Sequence, residues 1–174
     1  MCTQCRQSSP LQHIWVLGDY EGALERLIHV FKFGRARAAA EILAMAMDAR
    51  LPQLPAATVI VPLPTAPRRV RQRGYDQAVL MARALASHRE LTTRSLLLRN
   101  HNQRQLGASK ALRHQQAAEA YRLARQPVAL DQPLLLIDDV ITTGASLTAA
   151  ARLLSAAGYH NVMAVVAAKR PFKK

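Results

Sequence analysis

Short apolar runs alternate along this chain with segments in which apolar residues recur at helical spacing. Four runs predict strands, at residues 58–61, 96–98, 134–137 and 162–168. The run at 58–61 is the most β-branched and is expected at the centre of a parallel sheet. Helical spacing predicts helices at residues 19–33, 36–49, 78–85 and 147–157. This alternation is typical of an α/β fold, with a central, mostly parallel sheet flanked by helices and a small helical N-terminal cap.

The composition is that of one domain with an aliphatic core. The chain has 174 residues, of which 50% are hydrophobic but only 5% aromatic, so Ala, Leu and Val are expected to fill the core. No segment approaches the ~20 apolar residues of a membrane span. The first twenty residues lack the apolar stretch of a secretory signal. A cytoplasmic location is therefore expected, and the oligomeric state stays open.

The charge of the chain is strongly basic. Lys and Arg number 24 against 11 Asp and Glu, which gives a net charge of +13. Such a balance favours polyanionic partners, either phosphorylated ligands or nucleic acid. A coding bias toward Arg and Ala is the alternative explanation. No aromatic residues are interleaved with the basic runs, so the sequence shows no base-stacking platform for single strands.

Residues 134–146 combine a predicted strand with two adjacent acids and a turn rich in hydroxyl groups. Asp138 and Asp139 stand where the apolar run ends, and their carboxylates suit the vicinal hydroxyls of a sugar. The turn consists of Thr142, Thr143, Gly144, Ala145 and Ser146. It precedes a predicted helix, and the unpaired N–H groups and dipole of a helix N-terminus favour a phosphate. A ribose with a 5′-phosphate satisfies both halves of the segment.

This segment closely resembles the phosphoribosyl-pyrophosphate (PRPP) motif of type I phosphoribosyltransferases. The resemblance implies that the acidic pair holds the 2′- and 3′-hydroxyls of ribose and that the turn cradles the 5′-phosphate. An ordinary strand end before a helix cap is the alternative, although adjacent like charges add no stability. A Walker phosphate loop is excluded because no Gly-Lys-Ser/Thr follows.

A proline-rich loop and a group of arginines are the candidates for the pyrophosphate half of PRPP. The loop follows the strand predicted at 58–61, and ligands of α/β sheets collect at the carboxyl ends of strands. Arginine offers a planar donor fork to phosphate oxygens, although a solvated basic face is the alternative. The residues predicted on this side are Pro62, Leu63, Pro64, Arg73, Gly74 and Arg99. Mg²⁺ is expected to bridge pyrophosphate and ribose oxygens.

Two other segments are weighed against ordinary surface positions. Lys32 points either at a ligand phosphate or, as is commoner, into solvent. Residues 99–113 are polar and resemble the loop that closes over PRPP in type I enzymes and excludes water. Its candidate clamps for pyrophosphate are Arg99, Arg104, Gln105 and Lys110. A plain surface loop is the alternative, and residues 169–174 are expected to form a frayed basic tail.

The two cysteines of the chain, Cys2 and Cys5, have the spacing of half a zinc site. A structural Zn²⁺ takes four ligands, and this pair supplies two thiolates. His13 or His29, a second chain, or residues upstream of Met1 are the candidates that complete it. Two unconnected thiols at a frayed terminus are the alternative.

From Cys2 to about Ala168 the chain resembles the ComF family, competence and DNA-utilisation proteins with a phosphoribosyltransferase domain. The shared motifs include Tyr20-x-Gly22, Ile28-His-x-Phe-Lys-Phe33, Val61-Pro-Leu-Pro64, Arg71-x-Arg-Gly-Tyr-x-Gln77, Gln105-x-Gly107-x-Ser109 and Ala120-Tyr121. The resemblance implies a PRPP or other ribose 5-phosphate ligand and a role in natural transformation. Single-stranded DNA or the DNA-uptake machinery is the implied partner, and catalytic turnover stays open. A metabolic nucleobase or amine phosphoribosyltransferase is the alternative function.

The resemblance also implies a domain division and shows two departures. ComF proteins usually begin with a zinc finger of two Cys-x-x-Cys knuckles, and Cys2 and Cys5 align with the second. Residues 1–18 are therefore expected to be a zinc-finger remnant and residues 19–174 the phosphoribosyltransferase-like domain. Asp76 and Gln116 stand where the family usually has Asn.

Overall fold

A parallel sheet organises the part of the chain that the computed structural model describes, residues 10–100, 120–125 and 127–171. The strands are β1 (His13–Asp19), β2 (Val59–Pro62), β3 (Thr92–Thr93), β4 (Leu97–Arg99), β5 (Tyr121–Leu123), β6 (Leu134–Ile141) and β7 (Val162–Lys169). The helices are α1 (Gly22–Phe33), α2 (Ala39–Asp48), α3 (Pro67–Arg73), α4 (Gln77–Arg89) and α5 (Ala145–Ala156). Five strands form the sheet in the order β1-β7-β6-β2-β3, and β4 pairs with β5 in a separate antiparallel ribbon.

The register of the sheet brings four carboxyl strand ends to one edge. Every pairing within the five-stranded sheet is parallel. Asp19 of β1 and Ile141 of β6 both lie opposite Lys169 of β7, and Pro62 of β2 lies opposite Ile137. The segments that follow β1, β2, β6 and β7 therefore emerge side by side, where ligands of open α/β sheets bind.

The core lies on both faces of the sheet. On one face, buried residues of β6 such as Leu135 and Ile137 pack with residues of α1, α2 and α4. On the other, Leu134 and Leu136 pack with α5 and with the β4–β5 ribbon. The alternation of odd and even positions follows from the pleat, because successive side chains point to opposite faces.

The predicted fold class is confirmed: the sheet is parallel and flanked by helices, consistent with a type I phosphoribosyltransferase-like fold. The four predicted strands and four predicted helices are present, with shifted ends. Among the described residues, no helix combines the length and apolarity needed to cross a bilayer.

Three details differ from the predictions. Strand β6 does not end before the acidic pair but continues to Ile141, because β7 pairs with it as far as Lys169. Strand β1, for which no apolar run was predicted, joins the sheet by pairing with β7 from His13 to Asp19. The arginine-rich segment forms helix α3, between Pro67 in its first turn and Gly74, whose φ of 82° suits glycine at a helix end.

Candidate functional site

A cavity of about 570 Å³ opens at the carboxyl edge of the sheet. Most of its wall is polar or cationic, which suits a charged ligand. The lining residues are Tyr20, Lys32, Phe33, Leu63, Pro64, Thr65, Ala66, Arg69, Gln72, Arg73, Arg99, Tyr121, Asp138, Asp139, Val140, Thr142, Ser146 and Arg170. They come from segments far apart in the sequence, so the strand order of the sheet creates the cavity.

The acidic pair lies in this wall, near the end of β6. Asp139 forms an ion pair with Lys32 of α1, with 2.9 Å between Nζ and Oδ1. The Oδ1 of Asp138 accepts a hydrogen bond from the backbone N–H of Asp139 at 2.8 Å. Lys32 therefore does not point into solvent, because its ammonium group is paired with the acid predicted to bind ribose.

The two carboxyl groups differ in their environments. Burial, and after it the charge of Asp139, raises the pKa of Asp138 from 3.8 to about 8. The backbone hydrogen bond and the ammonium of Lys32 oppose this shift without reversing it. Asp138 therefore keeps its proton at neutral pH, as expected for a desolvated carboxyl group beside a like charge.

The turn after β6 encloses a second, smaller cavity of about 40 Å³ at the start of α5. Gly144 adopts a φ of 77°, and its carbonyl accepts the N–H of Thr148 at 2.9 Å, so it opens the helix directly. The N–H of Ala145 donates to Thr143 Oγ1 at 3.4 Å. The first turn of α5 holds no acidic residue, which leaves the positive end of the helix dipole available to an anion.

The loop after β2 is held in place by Asp76. Its carboxylate accepts the N–H of Thr65 at 3.0 Å on one oxygen. The other oxygen accepts the hydroxyl of Thr65 and the N–H of Ala78, each at 3.0 Å. Asp76 thereby caps α4 and ties that helix to the loop beside the cavity. An Asn at this position offers only one acceptor oxygen, which gives the departure from the family pattern a physical reason.

Arginine side chains form the opposite wall. Burial, the largest influence, lowers the pKa of the Arg73 guanidinium, and the charge of Asp139 raises it. Arg73 donates to Gln77 Oε1 at 2.8 Å and lies 5.5 Å from the centre of the Phe33 ring. Arg99 donates to the carbonyl of Pro64 at 3.4 Å and to the hydroxyl of Tyr121 at 3.2 Å. These contacts hold two guanidinium groups in defined positions beside the loop.

The predicted site residues fall into five groups. Asp138, Thr142 and Ser146 line both cavities, while Asp139, Leu63, Pro64, Arg73 and Arg99 line the larger one. Thr143, Gly144 and Ala145 line the smaller one. Pro62 lies within β2 and Gly74 at the end of α3, and neither lines a cavity. Cys2, Cys5, Arg104, Gln105 and Lys110 lie outside the described residues.

Several lining residues were not predicted from sequence. Tyr20, Phe33 and Tyr121 occur in the motifs quoted above, yet nothing in the pattern indicated that they share a cavity. Arg170 was expected in a frayed tail, but its backbone N–H donates to Ile141 at 2.9 Å and its guanidinium lies 4.9 Å from the ring centre of Tyr20. Arg170 could have been predicted at the site because it directly follows a predicted strand, and ligands of α/β sheets bind at the carboxyl ends of strands.

Among the described residues, side chains alone form no Mg²⁺ site, and a Mg²⁺ that bridges oxygens of the ligand stays a prediction. The described residues contain no group of three or more His, Cys, Asp or Glu side chains placed to hold a metal ion. Of the two acids, Asp139 is paired with Lys32 and Asp138 keeps a proton at neutral pH. Mg²⁺ takes oxygen ligands in a near-octahedral shell, and beside phosphates it usually takes only one or two of them from protein carboxylates.

Comparison with known proteins identifies relatives that match most of this chain. A scan against models of protein families found no match. The chain is 30% identical over 171 residues to Competence protein F of Haemophilus influenzae, covering 92% of this chain and 75% of that protein. It is 32% identical over 164 residues to DNA utilization protein YhgH of Escherichia coli K12, covering 88% and 70% respectively. The protein of the same name from Salmonella typhi is 30% identical over 168 residues.

Proposed function

Because this chain belongs to the ComF family, with Competence protein F and the YhgH proteins as relatives, we propose that it binds PRPP or a similar ribose 5-phosphate in service of DNA uptake or utilisation. The names of the relatives support the role in competence and DNA handling. The chemistry of the cavity supports the ligand. Zinc at Cys2 and Cys5 stays a prediction from sequence alone.

One observation carries the ligand assignment: the larger cavity combines the acidic pair with arginines from other segments, and it shares Asp138, Thr142 and Ser146 with the smaller cavity at the turn before α5. In the proposed complex, Asp138 and Asp139 face the ribose hydroxyls. The N–H groups and hydroxyls of residues 142–146 surround the 5′-phosphate. Arg73 and Arg99, next to the loop after β2, face the pyrophosphate through their planar donor forks.

Transfer of the ribose to an acceptor is a second candidate, and the aromatic part of the cavity favours it. Phe33 lines the cavity yet is 60% exposed, and Tyr20 lies in the same wall. Such rings suit a planar acceptor. In this reaction the acceptor displaces pyrophosphate from ribose C1, while the protein positions both groups and neutralises the leaving group. Release of pyrophosphate from PRPP with nucleobases or aromatic amines tests this candidate.

Calorimetric titration with PRPP, ribose 5-phosphate and pyrophosphate tests the proposed ligand. The double variant Asp138→Asn/Asp139→Asn is expected to lose PRPP binding by at least about 100-fold, because several hydrogen bonds to charged groups disappear together. Arg73→Ala is expected to weaken PRPP at least about tenfold more than ribose 5-phosphate, since only PRPP carries the pyrophosphate.

Asp131→Asn is the matched control, because Asp131 is exposed and lines neither cavity. Circular dichroism establishes that each variant is folded. Wild-type protein that binds none of the three ligands, or a folded double variant with unchanged affinity, contradicts the proposed function.

A further inference from the structure

The end of α1 delivers an ammonium group to the acidic pair inside the cavity. Lys32 Nζ lies 2.9 Å from Asp139 Oδ1, and the two side chains are only 16% and 15% exposed. A pair this sheltered is screened far less by salt than an ion pair on the surface. The positive charge beside the two acids is thus supplied by the protein itself, through the ammonium group of Lys32.

The position of Lys32 is fixed by its neighbours on α1. Ile28 and Phe31 are fully buried in the core on this face of the sheet. The carbonyl of Phe31 accepts a hydrogen bond from the hydroxyl of Tyr75, which ties the last turn of α1 to the segment before α4. A fixed helix end places the ammonium in advance, so ligand binding does not have to order it.

The rest of the cavity is already rich in positive charge. Arg69, Arg73, Arg99 and Arg170 line it together with Lys32, against Asp138 and Asp139 as its two acids. A divalent cation on those acids meets the ammonium of Lys32 at close range. A lysine ammonium has three donors, of which Asp139 takes one, so oxygen atoms of a ligand can accept the others.

We propose that Lys32 is the built-in counter-cation of this site, so that a phosphorylated ribose binds without a divalent cation held by the protein. This inference rests on the proposed function. The ammonium stabilises the charge of Asp139 in the free protein and that of the phosphorylated ligand in the complex. The positioning of the ligand then depends on Lys32 rather than on Mg²⁺.

The experiment compares PRPP and ribose 5-phosphate binding in EDTA and in excess MgCl₂, by calorimetry at constant ionic strength. For wild-type protein the two dissociation constants are expected to agree within about threefold. For Lys32→Met, affinity in EDTA is expected to fall at least about tenfold, and MgCl₂ is expected to restore much of it because the acids are then free to meet a metal. Lys169→Met is the matched control, since Lys169 is exposed and lines neither cavity.

The outcomes separate the two proposals. Wild-type protein that binds neither ligand in either buffer contradicts the proposed function. Wild-type binding that weakens tenfold or more in EDTA preserves the proposed function and overturns the role of Lys32. Lys32→Met with wild-type affinity in EDTA overturns it as well. If Lys32→Met does not fold, the wild-type comparison decides alone.

Discussion

At the scale of residues, the acidic pair shows how two identical carboxyl groups acquire different properties from their surroundings. Asp139 meets an ammonium, whereas Asp138 is desolvated beside a like charge and has a pKa of about 8. A carboxyl group whose pKa is higher in the folded than in the unfolded state favours unfolding as the pH rises. The loss begins near pH 3.8, where the unfolded chain ionises, and is complete once the pH exceeds about 8. Such a loss of folding stability is typical of functional sites.

We therefore expect Asp138→Asn to stabilise the protein, and to do so more at pH 8 than at pH 5. Asn keeps the shape and an acceptor oxygen but has no proton to lose. At pH 8 the melting temperature is expected to rise by about 5 °C or more, since each pKa unit corresponds to about 1.4 kcal/mol. Thermal denaturation at both pH values, with Asp131→Asn as control, measures the difference. A gain of equal size at pH 5 and pH 8 contradicts the assigned pKa.

At the scale of elements, the loop after β2 is held in place by hydrogen bonds to the N-terminus of α4, which follows it in the chain. Asp76 caps α4 through the N–H of Ala78 and holds both donors of Thr65. Leu63 adds a bond from its N–H to the carbonyl of Ile137 at 3.0 Å, which anchors the loop to β6. The loop beside the cavity is thus fixed from both sides by neighbouring elements.

Asp76→Asn is expected to destabilise the protein by about 1–2 kcal/mol, because its amide NH₂ replaces the oxygen that accepts the N–H of Thr65. Asp76→Ala is expected to cost more, since the cap of α4 is lost as well. Urea denaturation measures both. If Asp76→Asn leaves the free energy of unfolding unchanged, both in the wild-type protein and in the Thr65→Val variant, the hydrogen bonds of Asp76 do not contribute to stability.

At the scale of the whole molecule, the net charge of +13 is distributed over more than the cavity. Arg68 and Arg71 of α3 are exposed and do not line it, whereas Arg69 and Arg73 of the same helix do. The helix therefore presents cations to the ligand site and to solvent at once. If a nucleic-acid strand binds along this exposed side, it is expected to pass close to the cavity and to bind more weakly as salt increases.

The variant Arg68→Ala/Arg71→Ala is expected to weaken binding to a single-stranded oligonucleotide while PRPP binding stays unchanged. Each phosphate contact contributes about 0.7 to the slope of log affinity against log salt for single strands, so the slope is expected to fall by about 1.4. Fluorescence anisotropy at several salt concentrations measures it. The control is Arg83→Ala/Arg152→Ala, which removes equal charge from exposed positions on α4 and α5. If the control variant changes the slope by the same amount, the effect comes from the net charge of the protein and not from contacts with Arg68 and Arg71.

The sequence by itself determined the fold class and the contiguous half of the site. Apolar periodicity is a local property, so the strands β2, β6 and β7 and the helices around them were predictable. The acids and the turn of residues 134–146 were predictable because they are neighbours in the chain. The arginine run was recognised for its chemistry, but its helical form depends on Pro67 and Gly74 at its ends.

Only the tertiary structure decided which distant residues join that half. Lys32, Tyr20 and Arg170 line the same cavity as the acids because β7 lies beside β6 in the sheet and β1 lies beside β7. Strand order is a non-local outcome of packing, and a sequence pattern carries no direct record of it. The same is true of the pKa of Asp138, which is set by burial and by a neighbour's charge that exist only in the folded chain.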